Sequence, residues 1–389
     1  MIKEIQTEKL PIKLWLDQVE AGALQQARNL ANFPYAFHHI ALMPDCHQGF
    51  GMPIGGVLAT REVVVPNAVG VDIGCGMCAV RTSLDEISRN DLRRLAAAIR
   101  EIVPVGFKHH RQPQDPGRMP PSRKPDDLPV ASREYESALR QLGTLGGGNH
   151  FIELQKDRDR QVWVMIHTGS RNLGKQVADH YNRLARRLNQ EENSPVPRSA
   201  QLAHLRLDSR EGGRYWREME YCVDFALANR ELILERVLGL LADRFRSRFE
   251  AEAPVNIAHN YAALEDHFGE RVVVHRKGAT KADRDTVGIV PGSQGANSYI
   301  VRGRGHPDSF NSCSHGAGRV MGRKEAIRRL DLQEEIGKLE SRGILHSVWS
   351  HSHLDEAAGA YKDIAEVMRQ QADLVEILAE LQPLAVIKG

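Results

Sequence analysis

Apolar residues in the first 90 positions come in short runs broken by glycine and proline: Ile40-Ala41-Leu42-Met43-Pro44, then Gly55-Gly56-Val57-Leu58, then Val63-Val64-Val65-Pro66. That punctuation predicts strands and tight turns rather than long helices. The spacing changes after Ser88-Arg89-Asn90-Asp91, where Leu92, Leu95, Ala96 and Ile99 recur at helical intervals, so a helix should begin there and end before Pro104. Residues 106–130 carry prolines at 113, 116, 120, 121, 125 and 129 among Lys, Arg and His, a segment that sustains neither helix nor central strand and reads as an exposed loop. Gln161 to Ile166 and Arg271 to Val274 read as short buried strands. From Lys175 to about Arg248 the pattern is helical, and Asp363 to Leu381 predicts one more helix before the final Ile387-Lys388-Gly389. No repeat or linker divides the chain. The expectation is a single mixed α/β domain spanning 1–389, with a mainly helical insertion at 175–250.

Composition adds limits. The chain has 389 residues, 41% hydrophobic content and 33 glycines, enough for one large folded unit. No apolar run approaches the roughly 20 residues that span a bilayer, and the N-terminal MIKEIQTEKL lacks a signal-peptide pattern. No membrane association and a cytoplasmic location are the expectation. Five cysteines, Cys46, Cys75, Cys78, Cys222 and Cys313, make an odd number in a long chain, which argues for free thiols or metal ligands rather than a disulfide framework. Lys plus Arg (52) nearly balances Asp plus Glu (50), so nucleic acid could be bound only by a local patch. The 106–130 loop offers one, its charges being either simply solvated or in contact with RNA phosphates.

The residues with chemistry stand at turns beside apolar runs. In Val69-Gly70-Val71-Asp72-Ile73-Gly74-Cys75-Gly76-Met77 three glycines let the backbone bring a carboxylate and a thiol to one side, as a pair of metal ligands or as a turn with a buried Cys and a capping Asp. Cys75 and Cys78 also form a CxxC spacing. A structural zinc site would want a second such pair, and a thioredoxin-like motif a helix opening at it, and neither is evident. Leu145 to Glu153 delivers Asn149, His150 and Glu153 from a glycine run, His167 closes the run Val162 to Ile166, and His259 follows Val255 to Ala258. One histidine of this kind is usually a satisfied core or surface residue. Together, Asp72, Cys75, His150, His167 and His259 suit manganese or zinc rather than magnesium alone, and they are too many for one open catalytic ion. They fit two ions sharing a bridging thiolate. In Asn311 to Arg319, His315 lies among Ser and Gly whose amides can hold phosphate oxygens, with Arg319 as a forked cation. His315 is then either a nucleophile or a polar residue in a glycine-rich turn.

These strings, DIGCGM, GNHF, HTGSR, HNY and SHGAGR, resemble the RtcB family of RNA ligases from near the N-terminus to the last residue. The resemblance implies that family's α/β fold with a central metal cleft. It implies two manganese ions on Asp72, Cys75, His150, His167 and His259, GTP as cofactor, and His315 as the residue that accepts GMP. It further implies that Asn149, Asn260, Ser293, Ser298, Ala317 and Gly318 hold the nucleotide's phosphates and ribose, and that Glu153, Tyr361 and Lys388 grip guanine. Tyr361 and Lys388 would otherwise read as an ordinary helix tyrosine and a tail lysine. The implied substrate is RNA with a 3′-phosphate or 2′,3′-cyclic phosphate end and a 5′-hydroxyl end, and Arg171, Arg276, Lys277 and Arg319 are candidates for its phosphates.

The chain departs from the family pattern at Asp45-Cys46-His47-Gln48-Gly49, where DVHLG is commoner, at Ala258, where a second His is frequent, and at Cys78, where Asn is. No role passes to Cys46, His47 or Cys78. The length and the DCHQG string resemble a shorter paralogue subclass, which leaves two RNA targets open: tRNA halves, or RNA cut by a toxin and repaired in the ribosome with a release-factor homologue as partner. Two rival readings stand beside the ligase: a dinuclear metallophosphoesterase acting on RNA ends, and a catalytically silent RNA-binding or assembly protein.

Overall fold

The computed structural model describes residues 1–121, 128–246 and 249–389. The middle of the expected loop, 122–127, and the end of the expected helical segment, 247–248, lie outside the described residues. Two large sheets organise the chain. The first runs in the order Lys3–Ile5, Ile12–Leu14, Ala36–Phe50, Met52–Thr60, Glu270–Lys277, Asn260–His267, all antiparallel except the second pair. The second is antiparallel throughout, in the order Val255–Ala258, Gly76–Arg81, Val162–Thr168, Phe151–Lys156, Val375–Lys388, Ser298–Gly303, Val287–Val290. The chain crosses from the second sheet to the first at His259, between the strands Val255–Ala258 and Asn260–His267.

Val162 to Thr168 is buried on both faces, which is why it reads as a continuous apolar run. One face, with Val164 and Ile166, packs with Ile233, Leu234 and Val237 of the long helix Arg210–Phe245, and the other face carries Met165. Each such side chain, fully withdrawn from water, contributes about 1.5–3 kcal/mol. The helix Arg89–Ile102 begins as its spacing predicts: the Ser88 hydroxyl accepts from the Asp91 amide at 3.1 Å, and Leu92, Leu95 and Ile99 face the core. Residues 106–121 are irregular apart from the 3-10 turn Pro116–Arg118, and Pro129 opens the helix Pro129–Gln141 from its first position, where a missing N–H costs nothing. The 175–250 region is mainly the helices Arg171–Glu191 and Arg210–Phe245. Among the described residues, no helix is long and apolar enough to cross a membrane.

Two expectations are corrected. The helix Ala21–Ala31 stands where strands and turns were predicted; its buried face of Ala23, Ala27, Leu30 and Ala31 has helical spacing, but alanines give little apolar contrast. The helix predicted over Asp363 to Leu381 is only Ile364–Gln370, and the rest is the strand Val375–Lys388. Pairing decides this: that strand bonds to Ser298–Gly303 over its first half and to Phe151–Lys156 over its second, with a register shift at Pro383, where the ladder lacks a donor. Two ladders outweigh a local preference worth a few tenths of a kcal/mol per residue.

Candidate metal centre and nucleotide cleft

Strand register assembles the centre. Gly76 pairs with Thr168 on one side and Ala258 on the other, while Phe151 pairs with His167. Cys75, His167, His150 and His259 therefore arrive at the same end of four adjacent strands, and the loop before Cys75 adds Asp72. The donor atoms of Cys75, His167 and His259 all lie within 4.8 Å of one another, as do those of Asp72, Cys75 and His150. Cys75 belongs to both sets. Its Sγ is 3.3 Å from His167 Nε2 and 3.6 Å from His150 Nε2, His150 Nε2 is 3.0 Å from the Asp72 carboxylate, and His167 Nε2 is 3.4 Å from His259 Nε2.

The ring orientations fit metal binding. His167 Nδ1 lies 3.1 Å from the Asn149 carbonyl, a contact that places the proton on Nδ1 and leaves the Nε2 lone pair facing the cluster, and His150 also turns its Nε2 to the cluster, with its Nδ1 3.1 Å from the Leu145 carbonyl and 3.3 Å from Arg171. Burial drives His167 and His259 well below the usual imidazole range, so both are neutral donors. Burial and the Asp72 carboxylate push the Cys75 thiol up, opposed by the buried Arg230 guanidinium, which also donates to the carbonyls of Gly74 and Thr168 at 3.0 and 2.8 Å. A thiol in this position becomes a thiolate only against strong positive charge, which a divalent cation supplies.

His315 follows the short strand Ser312–Ser314, and its ring centroid is 4.8 Å from that of His259. Its backbone N–H donates to Asp45 Oδ2 at 3.0 Å and its Nδ1 lies 2.6 Å from the same oxygen. Asp45 is fully buried; burial would raise its pKa, but the bond to the His315 ring, with Lys362 and His47 nearby, holds the carboxyl below the usual range. Nδ1–H therefore points at Asp45 and Nε2 stays free. Two glycines make this packing possible. Gly278, at φ +62°, would with a Cβ stand 2.9 Å from His315 Cε1, and Gly318, at φ +73°, would stand 2.1 Å from the Asp45 carbonyl oxygen. Asn260 links both halves, donating to the Asp72 carbonyl at 3.1 Å and accepting from the Gly278 amide at 2.7 Å. Asp45→Asn is expected to present the wrong tautomer of His315, which would lower any nucleophilic reaction of that ring by roughly 10³- to 10⁴-fold, and to leave the metal content unchanged. Labelling of the chain by α-labelled nucleotide, with metal analysis beside it, checks both.

A cleft of about 970 Å³ opens on His315 and His167 and is also lined by Asn149, Glu153, Ser293, Ala317, Gly318, Arg319, Tyr361 and Lys388. Ser298 lies beneath it, its hydroxyl accepting from Gly292 N at 3.2 Å and Gln155 Nε2 at 3.1 Å. Burial pushes the Glu153 carboxyl up to about 8, against a 2.6 Å bond from Gln155 and the Lys388 charge. Lys388 reaches the cleft because it pairs with Phe151 in the sheet. Glu356 gathers this end: its carboxylate accepts from the Tyr361 hydroxyl and lies 3.2 Å from Arg319, 2.8 Å from Arg323 and 3.8 Å from Lys388. Neither Glu356 nor Arg230 was marked by any sequence signal, and Asp45 was visible only as part of a departing motif.

The four cations expected on RNA phosphates separate. Arg319 lies on the cleft wall, its guanidinium 5.0 Å over the Tyr361 ring. Arg171 is half-buried behind the metal centre, 3.3 Å from His150 Nδ1. Arg276 and Lys277 are corrected. Arg276 is fully buried and donates to Glu265, Ser312 and the Phe310 carbonyl. Lys277 donates to the carbonyls of Phe50 and Asn67 at 2.7 and 2.9 Å, and burial pushes its ammonium down to about 7. Of the residues left without a role, Cys78 packs in the core behind the second sheet, Cys46 is buried, and His47 lines the cleft as a neutral ring, its pKa lowered by burial to about 4.

A mixed α/β fold whose strand ends gather a thiol, three imidazoles and a carboxylate beside a nucleotide-sized cleft with a poised histidine defines a class of candidate dinuclear metalloproteins. Residues 26–122 and 115–389 match the family model described as tRNA-splicing ligase RtcB. The chain is 39% identical over 410 residues to RNA-splicing ligase RtcB of Escherichia coli (strain K12), covering 98% of each. It is 33% identical over 442 residues to tRNA-splicing ligase RtcB of Thermococcus kodakarensis, covering 94% of this chain and 91% of that one. With RNA-splicing ligase RtcB homolog 1 of Entamoeba dispar it shares 31% over 449 residues, 95% of this chain and 82% of the relative. The chain belongs to the RtcB family.

Proposed function

We propose that this protein is an RNA ligase that joins a 3′-phosphate or 2′,3′-cyclic phosphate end to a 5′-hydroxyl end through a guanylyl-histidine on His315, with GTP as cofactor. The observation that carries this reading is the His315 ring, tied through Nδ1 to Asp45 and facing the same cleft as Glu153, Tyr361 and Lys388. Relatives named RNA-splicing ligase over nearly the whole chain support it.

Asp72, Cys75, His150, His167 and His259 would hold two manganese ions, which when bound neutralise charge on phosphate oxygens. His315 Nε2 attacks the α-phosphorus of GTP; the bond to the β-phosphate breaks and pyrophosphate leaves. Water opens a cyclic end to a 3′-phosphate. One oxygen of that 3′-phosphate takes the GMP from His315, restoring the imidazole, and the 5′-hydroxyl then attacks the activated phosphorus, losing its proton and expelling GMP. Asp45 holds the imidazole in place through these steps, and Arg319 and the amides of Gly316, Ala317 and Gly318, which follow His315 in the turn, offer donors to the charge that develops. Repair of damaged RNA or tRNA splicing in the cytoplasm is the setting this activity suits.

Incubation of the purified protein with manganese and α-labelled GTP tests the proposal. Acid-labile, alkali-stable label should stay on the denatured chain and be absent from His315→Ala. No label on metal-loaded protein would sink the ligase and favour the metallophosphoesterase. Guanine recognition has its own signature. An ionised Glu153 accepts from the guanine N–H edge, so GMP affinity should rise with pH, by up to about tenfold per unit, until the carboxyl near 8 is ionised. Calorimetry should show this slope in the parent protein and lose it in Glu153→Gln, which should also bind GMP more weakly.

A further inference from the structure

A second groove, of about 960 Å³, adjoins the cleft, and Phe50 lines both. One wall is the C-terminal half of the helix Arg171–Glu191, where Arg183, Arg186 and Arg187 stand three and four residues apart and share a face. The chain that follows returns Arg198 on the 3-10 turn Arg198–Ala200. All four arginines are exposed, and no Asp or Glu lines the groove. Arg187 has a long contact, 3.8 Å, with exposed Glu191; Arg183, Arg186 and Arg198 form no ion pair among the described residues. In a chain whose net charge is only +2, this is a local positive field in which Glu191, at 3.8 Å from Arg187, is the one carboxylate paired with these four arginines among the described residues.

The remaining lining suits a polynucleotide. Side-chain amides such as Asn182, Gln190 and Asn193 offer donors and acceptors for bases and ribose. Phe50 is 69% exposed and Val71 48%, and Val71 directly precedes the metal-site residue Asp72. The Phe50 carbonyl is held by buried Lys277, which anchors an aromatic ring where groove and cleft meet. Forked cations match backbone phosphates, and an exposed ring accepts any base by stacking.

Resting on the RNA-ligase reading, we propose that this groove is the track by which one single-stranded RNA arm enters the cleft, its phosphates on Arg183, Arg186, Arg187 and Arg198 and a base on Phe50. A single-stranded contact contributes roughly 0.7 to the slope of log affinity against log salt. The triple variant Arg183→Gln, Arg186→Gln, Arg198→Gln should therefore bind long single-stranded RNA at least about tenfold more weakly at low salt, with a slope less steep by about 2. Phe50→Ala should weaken binding by roughly fivefold or more without changing the slope. Guanylylation of His315 should stay at the parent's level in the triple variant. Unchanged RNA affinity and slope would overturn the groove while leaving the ligase reading intact; absence of guanylylation in the parent would instead sink the ligase reading. If the triple variant loses guanylylation too, Arg198→Gln alone decides: a slope less steep by about 0.7 supports the track, and an unchanged slope overturns it.

Discussion

Cys75→Ala should retain the fold yet lose both metal ions and, with them, guanylyl transfer on the order of 10³-fold or more. The magnitude follows from geometry. Sγ of Cys75 is common to the Cys75, His167, His259 set and the Asp72, Cys75, His150 set, so its removal takes a donor from each. His259 and Asp72 each serve only one set, and His259→Ala or Asp72→Ala should therefore spare one ion. Metal content of the three purified variants, read beside GMP labelling, distinguishes these outcomes. Two ions per chain in Cys75→Ala would refute the shared thiolate.

Arg276→Ala is expected to cost up to about 3 kcal/mol of stability, the low end of the range for breaking a buried pair, because Glu265 loses its bidentate partner and keeps only His267 at 3.1 Å and Lys281 at 3.7 Å. Arg276 lies 2.6 Å from the Glu265 carboxylate, with side-chain exposures of 0% and 9%. Burial would raise the Glu265 pKa; the Arg276 guanidinium overrides it, with help from His267 and Lys281, and holds the carboxyl far below the usual range. A depressed carboxylate contributes stability that is fully present above its unfolded value of about 4.3 and is lost as pH falls toward the folded one. Urea titrations at neutral and acid pH should show the gap between parent and variant narrowing in acid. A variant as stable as the parent, with weakened RNA binding instead, would return Arg276 to the phosphate contacts.

The contrast between Arg276 and Arg183 shows where pattern reading stops. Both are arginines in unremarkable local sequence; one is walled in by Phe310, Ser312 and Glu265, the other stands free on a helix face, and only the packing of distant segments tells them apart. Short-range devices did announce themselves: the Ser88 cap, the glycine turns beside Asp72, Cys75 and His150, and the apolar runs Val162 to Ile166 and Val255 to Ala258 that His167 and His259 follow. The resemblance supplied Tyr361 and Lys388, which no spacing singled out.

By itself, then, the sequence determined the mixed α/β class, several elements such as the helix Arg89–Ile102 and the strand Val162–Thr168, and the donors of the candidate metal centre, because those depend on backbone freedom and side-chain chemistry within a few residues. Tertiary structure alone decided that Val375–Lys388 is a strand carrying Lys388 to the cleft, that Asp45 aims His315, that Glu356 draws Arg319, Arg323, Tyr361 and Lys388 together, and that Arg276 is buried. Apart from the Glu356–Tyr361 bond, these rest on contacts between residues tens to hundreds of positions apart or on a β ladder with remote strands, and such pairings are set by the burial and hydrogen bonding of the whole chain rather than by any local pattern.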